Sequence, residues 1–359
     1  MKNRILAAAL CAAVVLSLTG CGKEETSAPA NTGNSTVNTG TSTPTGTSTT
    51  STAPTESSAP QSTSSAPESK PAESTSASAP EESSSAPESK PAEPAVEWTD
   101  APETDFGYRS YEDGVEIAEY KGEDVAIRLP DTIKGKKVLS LGGNAFDRAK
   151  VTNVVIPDGV KNIARSACYY CNEVESIEIP ESVTEIGGYA FSGCGKLTSI
   201  NLPNGITQIA DSMFSSCHSL ERIDIPDSVT KIGSDAFSHC GFTTIKLPSG
   251  ITEIPQSMFS GCTNLESIDI PEGVTEIGSS AFALCTNLKN VTIPNSVTSI
   301  EYQAFWQCIS LEQLNIPDSV IKINSSAFQL ISDNFIATYK GTEYTYYELD
   351  NLYNAISGY

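Results

Sequence analysis

Residues 265–287 read Leu265-Glu-Ser-Ile268-Asp-Ile270-Pro271-Glu-Gly-Val274-Thr-Glu-Ile277-Gly-Ser-Ser-Ala281-Phe282-Ala-Leu-Cys285-Thr-Asn. Ile268 and Ile270 alternate with Ser267 and Asp269, the period of a short strand with one buried face. Pro271 ends that strand, since it has no N–H to give to a ladder. Val274 and Ile277 then point inward around a turn, and Ala281, Phe282 and Cys285 form the next inward set at near-helical spacing. One such unit cannot close a core by itself. The apolar-Pro step recurs at Pro157, Pro180, Pro203, Pro226, Pro248, Pro271, Pro294 and Pro317, with intervals of 23, 23, 23, 22, 23, 23 and 23 residues, and Pro130 stands 27 residues ahead of the first. A fixed period of this length means one supersecondary unit stacked many times, each copy burying its apolar positions against the copies above and below.

Two inward ladders follow. The aromatic slot reads Phe146, Cys168, Phe191, Phe214, Phe237, Phe259, Phe282, Phe305 and Phe328, which is nine turns. The slot before it reads Ala145, Ala167, Ala190, Met213, Ala236, Met258, Ala281, Ala304 and Ala327, with the two Met in alternate units as a tandem duplication of two units would leave them. At about 4.8 Å per stacked strand, nine turns make an array roughly 40–45 Å long. The single 22-residue step, at Cys240-Gly241-Phe242, is expected to be absorbed as a local loop adjustment that leaves the stack intact.

These motifs resemble the BspA-like class of bacterial leucine-rich repeats, with units of the form Leu-x-x-Ile-x-Ile-Pro-x-x-Val-Thr-x-Ile-Gly-x-x-Ala-Phe-x-x-Cys, over residues 123–331. The segment from Tyr120-Lys121-Gly122-Glu123 through Gly135-Lys136-Lys137-Val138 also looks like the opening unit of such arrays. The resemblance implies a right-handed, leucine-rich-repeat-like solenoid, mainly β with short helical or turn segments. It also implies a cell-surface protein that binds other proteins or host and matrix components, with a partner that differs from member to member.

The remainder of the chain divides by composition. Residues 1–22 read as a lipoprotein export signal: Lys2 and Arg4, an apolar run from Ile5 to Leu18, then Leu18-Thr19-Gly20-Cys21, which resembles a lipobox. The run is short for a membrane span, which favours cleavage. In the lipoprotein family Cys21 becomes the lipid-bearing first residue; an ordinary signal peptide with an incidental cysteine is the other reading. Residues 23–95 are nearly all Ser, Thr, Ala, Pro, Glu, Gly and Asn, and the decamer Ser-Ser-Ala-Pro-Glu-Ser-Lys-Pro-Ala-Glu occurs at 64–73 and again at 84–93. Such a stretch cannot bury enough apolar surface to offset ordering entropy, so it reads as a disordered tether spanning roughly 50 Å as a relaxed coil. Its Ser/Thr/Pro content also suits O-glycosylation. The formal charge of −22 argues against nucleic acid and anionic membrane surfaces as partners, leaving a lipid anchor as the membrane contact.

Both ends of the array need caps. Residues 96–122 are assigned to the first, with Phe106, Tyr108, Tyr111, Val115 and Ile117 in strand-like alternation, and 332–359 to the second. There Phe335–Tyr339 reads as a strand, Lys340-Gly341 as a turn, and Leu349, Leu352, Tyr353 and Ile356 as a helical face. Thr345 with Glu348 is a capping-box start.

Candidate chemistry is thin. Of ten cysteines, Cys11 leaves with the signal and Cys21 is the lipidation candidate, while Cys171, Cys194, Cys217, Cys240, Cys262, Cys285 and Cys308 form one inward ladder. Stacked positions fall within disulfide Cα range, yet an odd ladder of identical slots fits a small apolar residue reused as core filling. Cys168 and Cys171 have CxxC spacing but occupy different slots. His218 and His239 are too few for a zinc site or a His-based acid–base pair. No Gly-rich phosphate loop, nucleophile elbow or HExxH is present. No catalytic, metal or cofactor role is therefore expected. The expected function is protein–protein or host/matrix adhesion through the solenoid surface, to a protein or glycan partner; the alternative is a structural spacer or envelope component without one specific partner. The outward mid-strand residues Arg128, Val155, Glu178, Asn201, Asp224, Lys246, Asp269, Thr292 and Asn315 lack aromatic anchors. Tyr169, Tyr170, Tyr189, Tyr302 and Trp306 break the repeat pattern, and Tyr170, Tyr189, Tyr302 and Trp306 are the candidate partner contacts, with local packing on the turn face as the competing reading.

Overall fold

The structure is a computed structural model that describes residues 98–358; the segments read as an export signal and a tether, and Cys21, lie outside them. The described chain is a succession of short parallel strands and turns in which each unit repeats the last. The mid-strand ladder runs through Ala126–Arg128, Asn153–Val155, Ser176–Glu178, Ser199–Asn201, Arg222–Asp224, Ser267–Asp269, Asn290–Thr292 and Gln313–Ile316. Its register follows the repeat: Ile200 pairs with Ile223 and Ile268 with Val291. Ile177, Ile200 and Ile268 are buried while Glu178, Asn201 and Asp269 face solvent, as the alternation requires.

A second parallel ladder, not apparent from the unit's polar flanks, forms where the turn after the proline was expected. It includes Glu185–Ile186, Gln208–Ile209, Lys231–Ile232, Glu253–Ile254, Glu276–Ile277, Ser299–Ile300 and Lys322–Ile323, with Ile277 stacked on Ile300 and Ile300 on Ile323. The stack is a solenoid of about ten turns with little helix.

Inside it the aromatic slot becomes a column of rings. From Phe191 to Phe328 successive centroids are separated by 5.3–5.9 Å with interplanar angles of 4–24°. Phe335 closes one end at 5.1 Å, and Tyr120 and Phe106 extend Phe146 at the other. Cys168, buried in the aromatic slot, interrupts the column between Phe146 and Phe191.

The Ala-Phe-x-x-Cys segment is not helical. It carries two left-handed residues per turn: Ser212 (φ 53°) and Ser216 (φ 63°) in one unit, Ser280 (φ 56°) and Leu284 (φ 63°) in another. The N–H groups of Ser212, Phe214 and Ser216 cross to the carbonyls of Ser234, Ala236 and Ser238 in the next turn at 2.9, 2.9 and 2.8 Å. Those of Met213, Ser215 and Cys217 donate back three residues, at 3.1–3.2 Å. Alternating the handedness aims every second donor along the stack, so the corner holds its neighbour without being a strand. The near-helical spacing arises from this alternation.

The 22-residue unit departs further from expectation than a loop adjustment. The missing residue lies between Cys240 and the slot filled elsewhere by Leu220 or Leu265, and Phe242 reaches into that slot, packed edge-on against Phe237 at 5.7 Å. No strand forms there, and only an isolated bridge joins Thr244 to Ser267. The ring column nevertheless continues through Phe237 and Phe259 at 5.9 Å.

At the N-terminal end Phe106–Ser110 and Val115–Tyr120 form an antiparallel pair with an irregularity between Gly107 and Tyr108. That shift turns Tyr108 and Tyr111 to solvent, whereas Phe106, Val115 and Ile117 are buried. At the C-terminal end Ile336–Tyr339 adds a rung beside Gln313–Ile316, and Thr342–Thr345 folds back on it through the left-handed pair Lys340-Gly341. The Glu348 carboxylate accepts from the Thr345 N–H at 3.0 Å and its hydroxyl at 2.8 Å, starting a turn that runs into the helix Leu349–Ser357.

Candidate functional site: an aromatic and arginine patch on the turn face

Two solvent faces follow from the repeat. The strand face carries the outward mid-strand residues and is mixed in charge, with Thr292 donating its hydroxyl hydrogen to Asp269 at 2.6 Å. At the 22-residue unit this face holds a groove of about 360 Å³ lined by Thr244, Ile245, Lys246, Leu247, Asp269 and Pro271, among others. The turn face is formed by the alternating-handed segments. One column of this face is mostly small: from Tyr169 it continues through Ser192, Ser215, Ser238, Ser260 and Ala283 to Trp306, with Ser192, Ser238 and Ala283 buried.

The tyrosines gather at one end of that face. The rings of Tyr169 and Tyr170 meet edge-on at 4.5 Å, and Tyr169 meets Tyr189 at 6.3 Å. Arg165 lies over the Tyr189 ring at 4.5 Å and Arg148 over Tyr170 at 6.0 Å. Tyr170 and Tyr189 both occupy left-handed slots (φ 53° and 59°), which is what brings their side chains to the surface. Gly193 provides the seat for Tyr170: a Cβ there would stand 3.0 Å from the ring. The Tyr169 hydroxyl is pushed up from its ordinary pKa, by burial first and by Tyr170 next, with the Arg148 charge pulling the other way. Sequence reading picked out these tyrosines because they break the pattern. It missed Arg148 and Arg165, which sit in slots where polar residues are unremarkable.

Tyr302 and Trp306 behave differently. Tyr302 is 48% exposed and Trp306 is half-buried, and among the described residues neither ring touches another. They share the turn face with the tyrosine cluster and do not form a second cluster. His218 and His239 pack ring to ring at 6.4 Å, with the His218 Nδ1 3.0 Å from the His239 carbonyl oxygen. Partial burial and then the His218 charge lower the His239 pKa.

The cysteine ladder is chemically quiet. Eight cysteines, Cys168 included, are free and buried. Each ladder thiol donates to a main-chain carbonyl of the preceding turn, as Cys217 does to Phe191 at 3.2 Å and Cys308 to Phe282 at 3.1 Å. Burial pushes the Cys217 and Cys262 thiols up to about 12, opposite to what a nucleophile or metal ligand needs. Among the described residues no group of three or more His, Cys, Asp or Glu is placed to hold a metal ion.

A parallel solenoid whose corners repeat Ala-Phe-x-x-Cys defines a leucine-rich-repeat array. The model of the BspA type leucine rich repeat region matches residues 139–266 and 207–334, with six copies, and the chain belongs to that family. No curated protein sequence matches it. Among solved structures, a leucine-rich repeat protein of T. pallidum is 29% identical, covering 59% of this chain and 91% of its own at a TM-score of 0.46. A leucine rich cell surface protein of Faecalibacterium prausnitzii is 23% identical, covering 68% and 95% at 0.35. The pneumococcal vaccine antigen PcpA is 18% identical, covering 66% and 80% at 0.41.

Proposed function

We propose that this chain is a lipid-anchored, extracytoplasmic adhesion or protein-binding module that presents its solenoid on a long tether. A leucine-rich-repeat solenoid is a binding scaffold, an extended surface built from repeated positions. The Leu18-Thr19-Gly20-Cys21 sequence and the Ser/Thr/Pro/Glu-rich segment 23–95 supply the reading for the anchor and the tether. The observation that carries the binding role is the patch of Tyr169, Tyr170 and Tyr189 braced by Arg148 and Arg165. Tyr and Arg are among the residue types that dominate interface energetics, and here they are gathered at one end of a face that carries no other cluster of aromatic and cationic side chains among the described residues. Tyr302 and Trp306 provide a second, sparser contact region on the same face.

The test immobilises the full chain and titrates extracellular matrix proteins and glycans over it. Saturable binding that is lost on Tyr170→Ser with Tyr189→Ser supports the reading. Absence of any saturable binder favours the spacer. Cys21→Ser is expected to release the chain from membranes into the medium.

A further inference from the structure

The tyrosine patch also has a charge, and the charge selects its partner. In the turn-face segments 144–150, 165–171 and 187–194 the charged residues are Arg148, Lys150 and Arg165 against Asp147 alone. Farther along the same face, the segments 210–217, 232–240, 255–262, 278–285, 301–308 and 324–331 hold Asp211, Asp235 and Glu301 and no Lys or Arg. A chain of net charge −22 thus concentrates cations at one end of one face. Glu173, the acidic residue that follows Cys171, is already paired with Lys196 at 2.6 Å. Among the described residues, neither Arg148 nor Arg165 enters an ion pair.

Both guanidinium groups instead lie on tyrosine rings. A guanidinium over a ring, as Arg165 is at 4.5 Å, still has N–H donors to give, and their fork matches a carboxylate in two parallel bonds. The rings beside the forks are held in place before any ligand arrives: Tyr170 by Gly193 and Tyr169, Tyr189 by Arg165. Two cationic forks beside the exposed Tyr170 ring and the half-buried Tyr169 and Tyr189 rings are complementary to carboxylates set between apolar or aromatic side chains.

We infer that the patch of Arg148, Arg165, Tyr169, Tyr170 and Tyr189 is a docking site for an acidic, aromatic-containing peptide segment of a partner protein. This rests on the binding reading above and names the partner chemistry of the same site. A protein segment fits better than an acidic sugar, because the forks alternate with three ring surfaces that a peptide's own apolar side chains can cover.

The test uses the full chain and fluorescein-labelled (Glu-Tyr)5, with (Gln-Tyr)5 and a hyaluronan decasaccharide as comparison probes, read by anisotropy. The expected result is saturable binding of (Glu-Tyr)5 at least about tenfold tighter than of either other probe, weakening as salt is raised. Arg148→Gln with Arg165→Gln is expected to weaken it at least about tenfold, and Arg148→Lys with Arg165→Lys to restore little, since a lysine cannot fork. Arg222→Gln on the strand face is expected to change nothing. Buried thiols that stay unlabelled confirm that each variant is folded. Equal affinity for (Glu-Tyr)5 and (Gln-Tyr)5, unchanged binding by the Gln variants, or preference for hyaluronan overturns the inference. A chain that binds matrix proteins saturably but ignores (Glu-Tyr)5 overturns it and leaves the adhesion reading standing. A chain that binds nothing saturably overturns both.

Discussion

Replacing Phe259 by Ala removes one ring from the middle of a column. The side chain is fully buried, with Phe237 at 5.9 Å on one side and Phe282 at 5.6 Å on the other, both near-parallel at 13°. Phe→Ala in a core costs about 3–5 kcal/mol, and the spread depends on how far the surroundings can collapse. Here collapse is opposed: the rungs above and below are held in register by main-chain bonds such as Phe259 N–H to the Ala281 carbonyl at 2.8 Å. The expected loss is therefore at the upper end, about 4–5 kcal/mol, set against a total of about 5–15 kcal/mol for an ordinary domain. Stability in a solenoid is a sum of unit and neighbour terms, so the loss falls on the two interfaces of one turn and divides the array into two cooperative blocks. The chain's two tryptophans, Trp98 and Trp306, lie on opposite sides of the division. Urea titrations of Trp98→Phe and Trp306→Phe backgrounds, followed by fluorescence and far-UV circular dichroism, should coincide in the parent and separate in the Phe259→Ala variant. Asn201→Ala, at an exposed strand position, is the control. A loss below about 1 kcal/mol, or one no larger than the control's, refutes the column as a source of stability.

Further expectations follow from individual contacts. Asp235 has its carboxyl pKa raised, by burial first and by Asp211 next; the folded state holds that proton more tightly, so this group's contribution to stability falls as pH rises through its titration. Asp235→Asn should raise the melting temperature at pH 7 and leave it unchanged near pH 3, and a gain that persists at pH 3 contradicts the assignment. A Cβ on Gly278 would stand 2.7 Å from the Ile254 carbonyl oxygen, so Gly278→Ala should cost about 1–3 kcal/mol in denaturant melts, whereas Gly195→Ala, which meets nothing within 4 Å, should be neutral. At pH 8 the buried thiols should resist a soluble thiol reagent until urea is added, with equal counts in the presence and absence of reductant; mapped labelling of any of the eight in the native state contradicts their burial. Gly193→Ala should weaken binding at the tyrosine patch by displacing Tyr170 and should also lower the melting temperature, because Gly193 sits at φ 79° and its new Cβ would stand 3.1 Å from the Tyr170 Cα; an unchanged melting temperature contradicts the seat.

The repeat made much of this architecture legible before the fold was seen. A position that recurs every 23 residues, like Phe259 or Cys285, states its burial many times over, and Ile268 and Ile270 announce a strand by alternation alone. What escaped were features that depend on backbone handedness. Ser212 and Ser216 carry no mark of a left-handed slot, since glycine is the usual signal and here serine, tyrosine and leucine fill it. The second ladder was hidden because two-residue strands such as Glu276–Ile277 are too short to show a period. The patch was half visible: Tyr189 stands out against Asn, Ser, Asp and Gln at equivalent positions and Tyr170 is the one tyrosine of a slot of mixed size, but pairing them with Arg148 and Arg165 requires the lateral spacing of neighbouring turns, which periodicity does not express. The loss of a strand at the 22-residue unit is not legible in the period either, because a one-residue deletion shifts every following main-chain donor relative to the turn above.

That unit also bears on mechanics. A pull applied along the stack through its two ends loads the rungs in sequence, so the array parts at the rung with the fewest main-chain bonds. Among the described residues neither strand ladder pairs from Ser176–Glu178 to Ser199–Asn201 or from Arg222–Asp224 to the 22-residue unit, and at the second of these steps the ring pair Phe237 and Phe259 with the wedge of Phe242 bears what the ladders do not. Under tension the solenoid is expected to yield at these two steps first and to leave blocks that each retain their own stacked core, with the turns that carry the tyrosine patch together in the first block.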